Sequence, residues 1–269
     1  MRKIFAAGLA LVFLGASALA QTTSVGEASF GARASVQADY KLMKGLHLNL
    51  EEEVRYNGSL QRLQTTLGVD YKVNKYFKTG VSYSLLENYK VKKAVFEPKH
   101  RARVYVQGAL PLGDFRLSLR ETFQLTNRPG EMNTTQAPRN KLALKSRLKL
   151  SYKGWKPVEP YAFFELRTAL NDAVVNATYN TATLSWSNYS FGGYGVVRCD
   201  RYRAGLGADW KISKHHALSL YGLFDWRSDR KVDTAWRSDD DDNSYLILKS
   251  FNIENSFTGI LGLGYKFSF

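Results

Sequence analysis

The strongest constraint on the fold is a two-residue alternation of apolar and polar side chains, which is clearest at the end of the chain. In the last thirteen residues, 257–269, every odd-numbered position except Gly259 is apolar, and the even-numbered positions are mostly small or polar. A period of two places alternate side chains on opposite faces of a strand. The segment therefore predicts a strand with one apolar face that ends on an aromatic residue, Phe269.

The same alternation recurs in ten earlier segments, which gives eleven predicted strands. Strands of about ten residues with one apolar and one polar face are the unit of a transmembrane β-barrel, in which the apolar side chains contact lipid. The predicted strands occupy residues 30–42, 46–56, 63–73, 77–89, 101–110, 115–125, 141–152, 160–170, 201–212, 218–226 and 257–269.

The predicted connections alternate between short turns and long polar loops. Short turns are predicted at 43–45, 74–76, 112–114, 154–156 and 213–215. Long loops are predicted at 90–99, 127–140, 171–199 and 228–244. Short turns at one end and long loops at the other are typical of a barrel with periplasmic turns and extracellular loops.

The strand count determines the fold class that we predict. An antiparallel barrel closes with an even number of strands, so eleven segments leave one strand unaccounted for. Residues 21–29, 183–186 and 245–248 are candidates for a further strand. The prediction is an all-β fold, an antiparallel transmembrane β-barrel of about 12 strands, with 10 strands as the alternative.

The first twenty residues have the features of a secretory signal peptide. Arg2 and Lys3 precede an apolar run at 4–14, and Ala18 and Ala20 form a small-x-small cleavage site. We therefore predict a signal peptide at 1–20 and a single barrel domain at 21–269, in the outer membrane of a Gram-negative bacterium after cleavage near Ala20. The formal net charge is +14, but export and the scattered basic residues argue against a nucleic-acid partner.

The polar faces of the strands, taken as pointing inward, predict a basic lumen. The predicted lumen charge cluster consists of Arg33, Arg55, Arg101, Arg103, Arg116, Arg120, Arg147, Arg167, Arg201, Arg203, Arg227, Glu51, Glu53, Glu165, Asp209 and Asp225. The same faces carry Arg62, Lys141, Lys145, Lys149, Asp39 and Asp70. At about twelve strands, these side chains could fill most of the bore, and the positive surplus predicts a preference for anions. The alternative is that they are only the polar filling of a closed barrel.

The sequence contains no catalytic constellation that we recognise. A His-x-Ser pair would place a base and a nucleophile on one face of a strand. None of the four histidines has a serine two residues later, and His47 has Asn49 at that position. We predict no catalytic, cofactor-binding or metal-binding residue, and interpret the acidic run at 239–242 as a solvated loop. Glu52 and Glu121 fall in register with apolar faces, and we expect β-bulges to turn them inward.

Several segments resemble an uncharacterised family of predicted Gram-negative outer-membrane barrels, domain of unknown function 2490. The similar segments are 115–121, 145–152, 159–161, 164–166, 209–216, 219–221 and 262–267, whereas 171–199 and 236–256 lie outside the resemblance. The family has no assigned activity, so the resemblance implies a barrel and a location and no catalytic residue. Together with the alternation at the end of the chain, it implies that Tyr265, Phe267 and Phe269 form an assembly signal for the barrel-assembly machinery.

Taken together, these features predict an integral outer-membrane β-barrel. Its lumen is either a narrow or plugged anion-preferring channel, or the interior of a structural surface protein. The predicted partners are outer-membrane lipid and the barrel-assembly machinery, and the oligomeric state stays open. An outer-membrane lipid-modifying enzyme is one alternative, and a soluble periplasmic β-sandwich or ligand-binding barrel is the other.

Overall fold

The computed structural model describes residues 23–26, 28–57, 60–90, 95–129, 138–182, 185–238 and 244–269, and its regular structure in these ranges is entirely β-strand. The strands are β1 (Thr23–Val25), β2 (Ser29–Met43), β3 (Leu46–Asn57), β4 (Leu60–Lys72), β5 (Phe77–Lys90), β6 (Val95–Leu112), β7 (Phe115–Asn127), β8 (Asn140–Tyr152), β9 (Val158–Asn180), β10 (Ser185–Lys211), β11 (His216–Ser238) and β12 (Ser244–Ser268). These ranges contain no helix with the length and hydropathy to cross a membrane. The predicted signal peptide and the acidic run at 239–242 lie outside the described residues.

The strands β2 to β12 form a closed barrel in sequence order. Each neighbouring pair is antiparallel, and β12 then pairs with β2 to close the wall. This closing pair is parallel, from Thr258 beside Ser29 to Ser268 beside Asp39. An eleven-stranded wall requires this, because the first and last of an odd number of alternating strands run in the same direction. The barrel is therefore mixed rather than purely antiparallel, and the short β1 only adds a second parallel pairing to β12.

The strand register sets the width of the barrel. Paired residues lead from Leu46 on β3 around the wall to Phe257 on β12. The row starts at Leu46, which pairs with Met43 on β2, and ends beside Thr258, which pairs with Ser29 on the same strand. It therefore returns to β2 about fourteen residues away from its starting point, and this offset is the stagger of the barrel. With strands about 4.8 Å apart and a rise of about 3.3 Å per residue, this stagger gives a strand tilt of roughly 40° and a backbone radius of roughly 11 Å.

The five short turns lie at one end of the barrel, as predicted, and we call it the turn end. Gly45 (φ 84°) and Gly113 (φ 61°) provide the left-handed conformations that two of the turns need. The opposite end, which we call the hairpin end, differs from the prediction. The supposed loops at 171–199 and 228–244 are largely strand, because β9 pairs with β10, and β11 with β12, far beyond the rest of the wall.

The loop prediction at 171–199 was wrong for a physical reason. Between Ser187 and Arg201 the register of β10 against β9 shifts five times. Each shift inserts a bulge, and a bulge breaks the two-residue period from which a strand is recognised in the sequence. The loop at 90–99 was also predicted too long, since β5 and β6 pair up to Lys90 and Val95.

The barrel has an apolar exterior and a charged interior. On the outer face, Leu206 and Leu220 are 69 % and 64 % exposed. On the inner face, Glu165, Arg203 and Asp225 are 5 %, 7 % and 4 % exposed. This burial pattern is the inverse of that of a water-soluble domain, in which large apolar side chains are inside.

Glu52 and Glu121 stay on the outer face, so the expected bulges are not there. Glu52 pairs in unbroken register with Val36 and with β4, and its side chain is exposed. Glu121 pairs in unbroken register with Val106 and Ser146, and its Oε2 accepts a hydrogen bond of 2.7 Å from the Ser146 hydroxyl. A neighbouring hydroxyl, rather than a bulge, accommodates this second carboxylate.

Candidate functional site: the charged lumen

The register of the wall places basic side chains directly beside one another inside the barrel. Lys145, Arg167, Arg201 and Arg227 are consecutive partners on β8, β9, β10 and β11, and we call them the long basic row. Directly opposed like charges destabilise a sheet. The rows therefore need carboxylates or bound anions as counter-charges. A second row of partners on β2, β3 and β4 consists of Arg33, Arg55 and Arg62.

Two buried carboxylates hold one part of the lumen together. Glu165 accepts from Arg147 at 2.6 Å and from Arg203 at 3.0 Å. Asp225 accepts from Arg201 Nε at 2.6 Å, and Arg203 Nε lies 3.3 Å from its other oxygen. Glu165 thus bridges guanidinium groups of β8 and β10, and Asp225 ties β11 to two guanidinium groups of β10. Such charge-assisted contacts fix the geometry of the wall.

Asp200 is a lumen residue that the sequence analysis missed. Its carboxylate accepts two hydrogen bonds of 2.7 Å from Arg167 and lies 3.3 Å from Lys141 Nζ. The side chain is 0 % exposed. A register shift between Cys199 and Arg201 places Asp200 on the same face as Arg201, which strict alternation forbids. The only signal in the sequence is that two charged residues, Asp200 and Arg201, are adjacent where strict alternation allows one.

Near the turn end several carboxylates pair with basic side chains. Lys149 lies 3.3 Å from Asp209, and Glu159 accepts hydrogen bonds from Lys153 and Lys211. Lys149, Asp209, Glu159 and Lys211 border an inner cavity of about 560 Å³, which we call the turn-side chamber. In the same chamber Arg55 donates to Glu53, while Glu51 and Arg33 also face the space.

Basic residues predominate near the hairpin end. A second inner cavity of about 350 Å³, the hairpin-side chamber, shares no lining residue with the first. Its wall includes most of the long basic row together with two acids, Asp172 and Asp229. The basic residues that line it are Arg62, Lys99, Arg101, Arg128, Lys141, Arg167, Arg198, Arg201, Arg227 and Arg230.

Most of the predicted lumen cluster lines the two chambers, with four exceptions. Glu165 and Asp225 line neither chamber and are buried against arginines that do. Arg120 faces inward beside the chambers, and its guanidinium donates to Gln107 Oε1 at 2.9 Å and lies over the Tyr105 ring. Arg116 is exposed at the rim near the turn end and borders a small pocket with lysines of the β4–β5 turn. The structure therefore separates Arg116 from the other predicted lumen residues.

One histidine has part of a catalytic arrangement. His47 Nδ1 lies 2.8 Å from Asp39 Oδ1, the contact by which a carboxylate orients a general base. Asp39 also lies 3.2 Å from Lys266 Nζ. In the described part of the chain no hydroxyl or thiol hydrogen-bonds to His47, and no three His, Cys, Asp or Glu side chains come together as metal ligands.

The predicted assembly signal lies on the outer face at the turn end. Phe269 is 62 % exposed and packs edge-on against Tyr40, with ring centroids 6.1 Å apart. It also packs against Phe267 at 4.4 Å, and Tyr265 contacts His216. The Phe269 amide donates to the Asp39 carbonyl oxygen at 2.9 Å, so the last residue continues the parallel pairing with β2.

Comparison with known proteins assigns a family but no activity. No curated protein matches the chain. A family described as protein of unknown function (DUF2490) matches residues 30–235, which span β2 and most of the wall through β11. The match covers the greater part of the chain, and the chain is therefore a β-barrel that belongs to the DUF2490 family of proteins of unknown function.

Proposed function

We propose that the protein is an integral barrel of the outer membrane with a narrow, anion-preferring lumen. The observation that carries the proposal is the inverted distribution of side chains, with leucines exposed around a closed wall and charged residues enclosed by it. A continuous apolar exterior of this kind needs lipid to cover it, because water-soluble proteins rarely expose large apolar patches.

The closed wall supports the same location. A bilayer provides no water to the backbone, so a sheet can span it only when no strand edge is left unpaired. The parallel pairing of β12 with β2, from Thr258 to Ser268, closes the wall and covers the edges of its first and last strands there. The strand tilt of roughly 40° also falls within the range of about 35–45° that transmembrane barrels adopt.

The strand number and the side chains support a narrow lumen. Eight strands leave room only for side chains, and about sixteen leave an open channel. Eleven strands lie between these limits, and ten basic side chains line the hairpin-side chamber. The two inner chambers share no lining residue. On β6, Arg101 lines the hairpin-side chamber and Arg103 lines the turn-side chamber. Any ion that passes meets predominantly positive charge, which favours anions.

Fractionation tests the location. We expect the protein to sediment with outer membranes, to resist carbonate extraction and to migrate differently on denaturing gels before and after boiling. Recovery in the soluble periplasmic fraction would refute the proposal.

Planar bilayers test the lumen. Purified protein should give small conductance steps with a reversal potential that favours chloride over potassium. Replacing Arg101, Arg103 and Arg203 by Gln should weaken this preference, because all three face the lumen. Replacing three exposed turn lysines, Lys44, Lys75 and Lys214, should not. Large cation-selective steps from the unmodified protein would contradict the proposed lumen.

A further inference from the structure

The two chambers of the lumen differ in how their charges are compensated. In the turn-side chamber, Asp209 and Glu159 each contact one or more lysines, and Glu53 contacts Arg55. Two carboxylates and ten basic residues line the hairpin-side chamber, against four carboxylates and nine basic residues in the turn-side chamber. Because both chambers belong to one barrel, polar filling of the interior does not by itself account for the difference.

Three arginines of the hairpin-side chamber lack a close carboxylate partner among the described residues. Arg62 donates to the neutral Asn88 at 2.5 Å. Arg101 makes only long contacts, 3.4 Å to Thr126 and 3.5 Å to Gln64. The nearest carboxylate to Arg227 is that of Asp229 at 3.6 Å, and the buried Arg227 Nε has no hydrogen-bond partner.

The carboxylates nearby are already engaged. Asp200 binds Arg167 and Lys141, and Asp225 binds Arg201. Removal of a guanidinium from water is costly unless an anion or strong acceptors compensate it. The three arginines, of which Arg227 is still 40 % exposed, therefore present unused donors toward one positively charged cavity.

The shape of the donors selects the chemistry of the anion. A guanidinium presents parallel N–H groups that match two oxygens of a phosphoryl group, and several guanidinium groups favour an anion with more than one charge. The cavity volume of about 350 Å³ lies at the lower end of the range for small-ligand sites, about 300–1,000 Å³.

We propose that the hairpin-side chamber binds a multivalent phosphoryl-bearing anion through Arg62, Arg101 and Arg227. The inference extends the proposed function, because an anion-preferring lumen gives the ligand its route to the chamber. The phosphoryl group could belong to a free solute or to the headgroup of a lipid, and the chemistry of recognition is the same for both.

Calorimetry on the full mature barrel purified in detergent tests the site. Pyrophosphate should bind at least ten-fold more tightly than chloride at matched ionic strength. The double variant Arg62→Gln/Arg101→Gln should weaken pyrophosphate binding by ten-fold or more. Arg62→Lys/Arg101→Lys should recover only part of the affinity, because it restores the charges without the forks.

The controls separate a local site from general electrostatics and from misfolding. Lys44→Gln/Lys214→Gln removes the same two charges from exposed turns, and it should leave pyrophosphate binding unchanged. Each variant is first shown to migrate as a folded barrel on unboiled gels. An equal loss of affinity in both double variants, or pyrophosphate binding no tighter than that of chloride, would overturn the inference.

Competition identifies the source of the phosphoryl group. Short-chain phosphatidic acid that binds and displaces pyrophosphate indicates a lipid headgroup, and pyrophosphate binding that the lipid cannot displace indicates a free solute. Bilayer recordings keep the two proposals apart. Tight pyrophosphate binding without conductance would refute the channel and leave the site intact, whereas chloride-selective conductance without pyrophosphate binding or block would refute the site alone.

Discussion

The substitution Asp200→Asn tests whether the enclosed charges stabilise the barrel. Asp200 is fully buried, and one carboxylate contacts both Arg167 and Lys141. Asparagine keeps the size and one acceptor oxygen but removes the charge. Arg167 also lies in the long basic row between Lys145 and Arg201, so the loss of its counter-charge exposes it to repulsion from both neighbours.

The expected cost is large because the pair is buried. Removing one partner of a buried ion pair costs about 3–5 kcal/mol, and the oxygen that asparagine retains places the cost near the lower limit, about 3 kcal/mol. With a slope of roughly 3 kcal/mol per M in guanidinium chloride, the unfolding midpoint should fall by roughly 1 M. The assay is guanidinium unfolding of the barrel in lipid vesicles, followed by tryptophan fluorescence.

Asp229→Asn is the matched control. Its carboxylate also faces the hairpin-side chamber, but it is 42 % exposed and lies 3.6 Å from Arg227. A solvent-exposed pair contributes about 0–1 kcal/mol, so the midpoint should shift little. Equal shifts for the two variants, or a loss below about 0.5 kcal/mol for Asp200→Asn, would refute the claim that burial makes this carboxylate important.

Three further predictions concern assembly, wall packing and topology. Deleting Phe269 should strongly lower the yield of folded barrel in outer membranes. Trp155→Ala, which removes an aromatic side chain of similar exposure from a turn, should leave the yield unchanged. Equal yields for the two variants would refute the assembly signal. Gly262→Ala should destabilise the barrel because its Cβ would collide with the Tyr221 ring across the strand pair, whereas Gly108→Ala meets no atom within 4 Å; equal unfolding midpoints would contradict this. Because β12 and β2 are parallel, β2 begins at the hairpin end and β12 ends at the turn end. If the turns face the periplasm, an antibody should label an epitope placed before β1 on intact cells. Labelling only after permeabilisation would refute that orientation.

The sequence by itself determined the faces of the strands and the positions of the short turns. Alternation of side chains is a local property, and it requires no knowledge of the partner strand. In the structure Arg33 and Arg147 line the turn-side chamber, Glu165 is buried and Leu206 is exposed. The alternation also predicted every short turn, because a turn interrupts it within a few residues.

Only the tertiary structure decided the closure, the register and the long hairpins. The parallel pairing of β12 with β2 depends on the number of strands in the wall, and the long basic row depends on the register of four strands. Asp200 joins the lumen through a bulge, and bulges also concealed the strands at 171–199. The same cause underlies these cases, since each depends on how a strand pairs with a neighbour, and alternation within a single strand contains no information about that pairing.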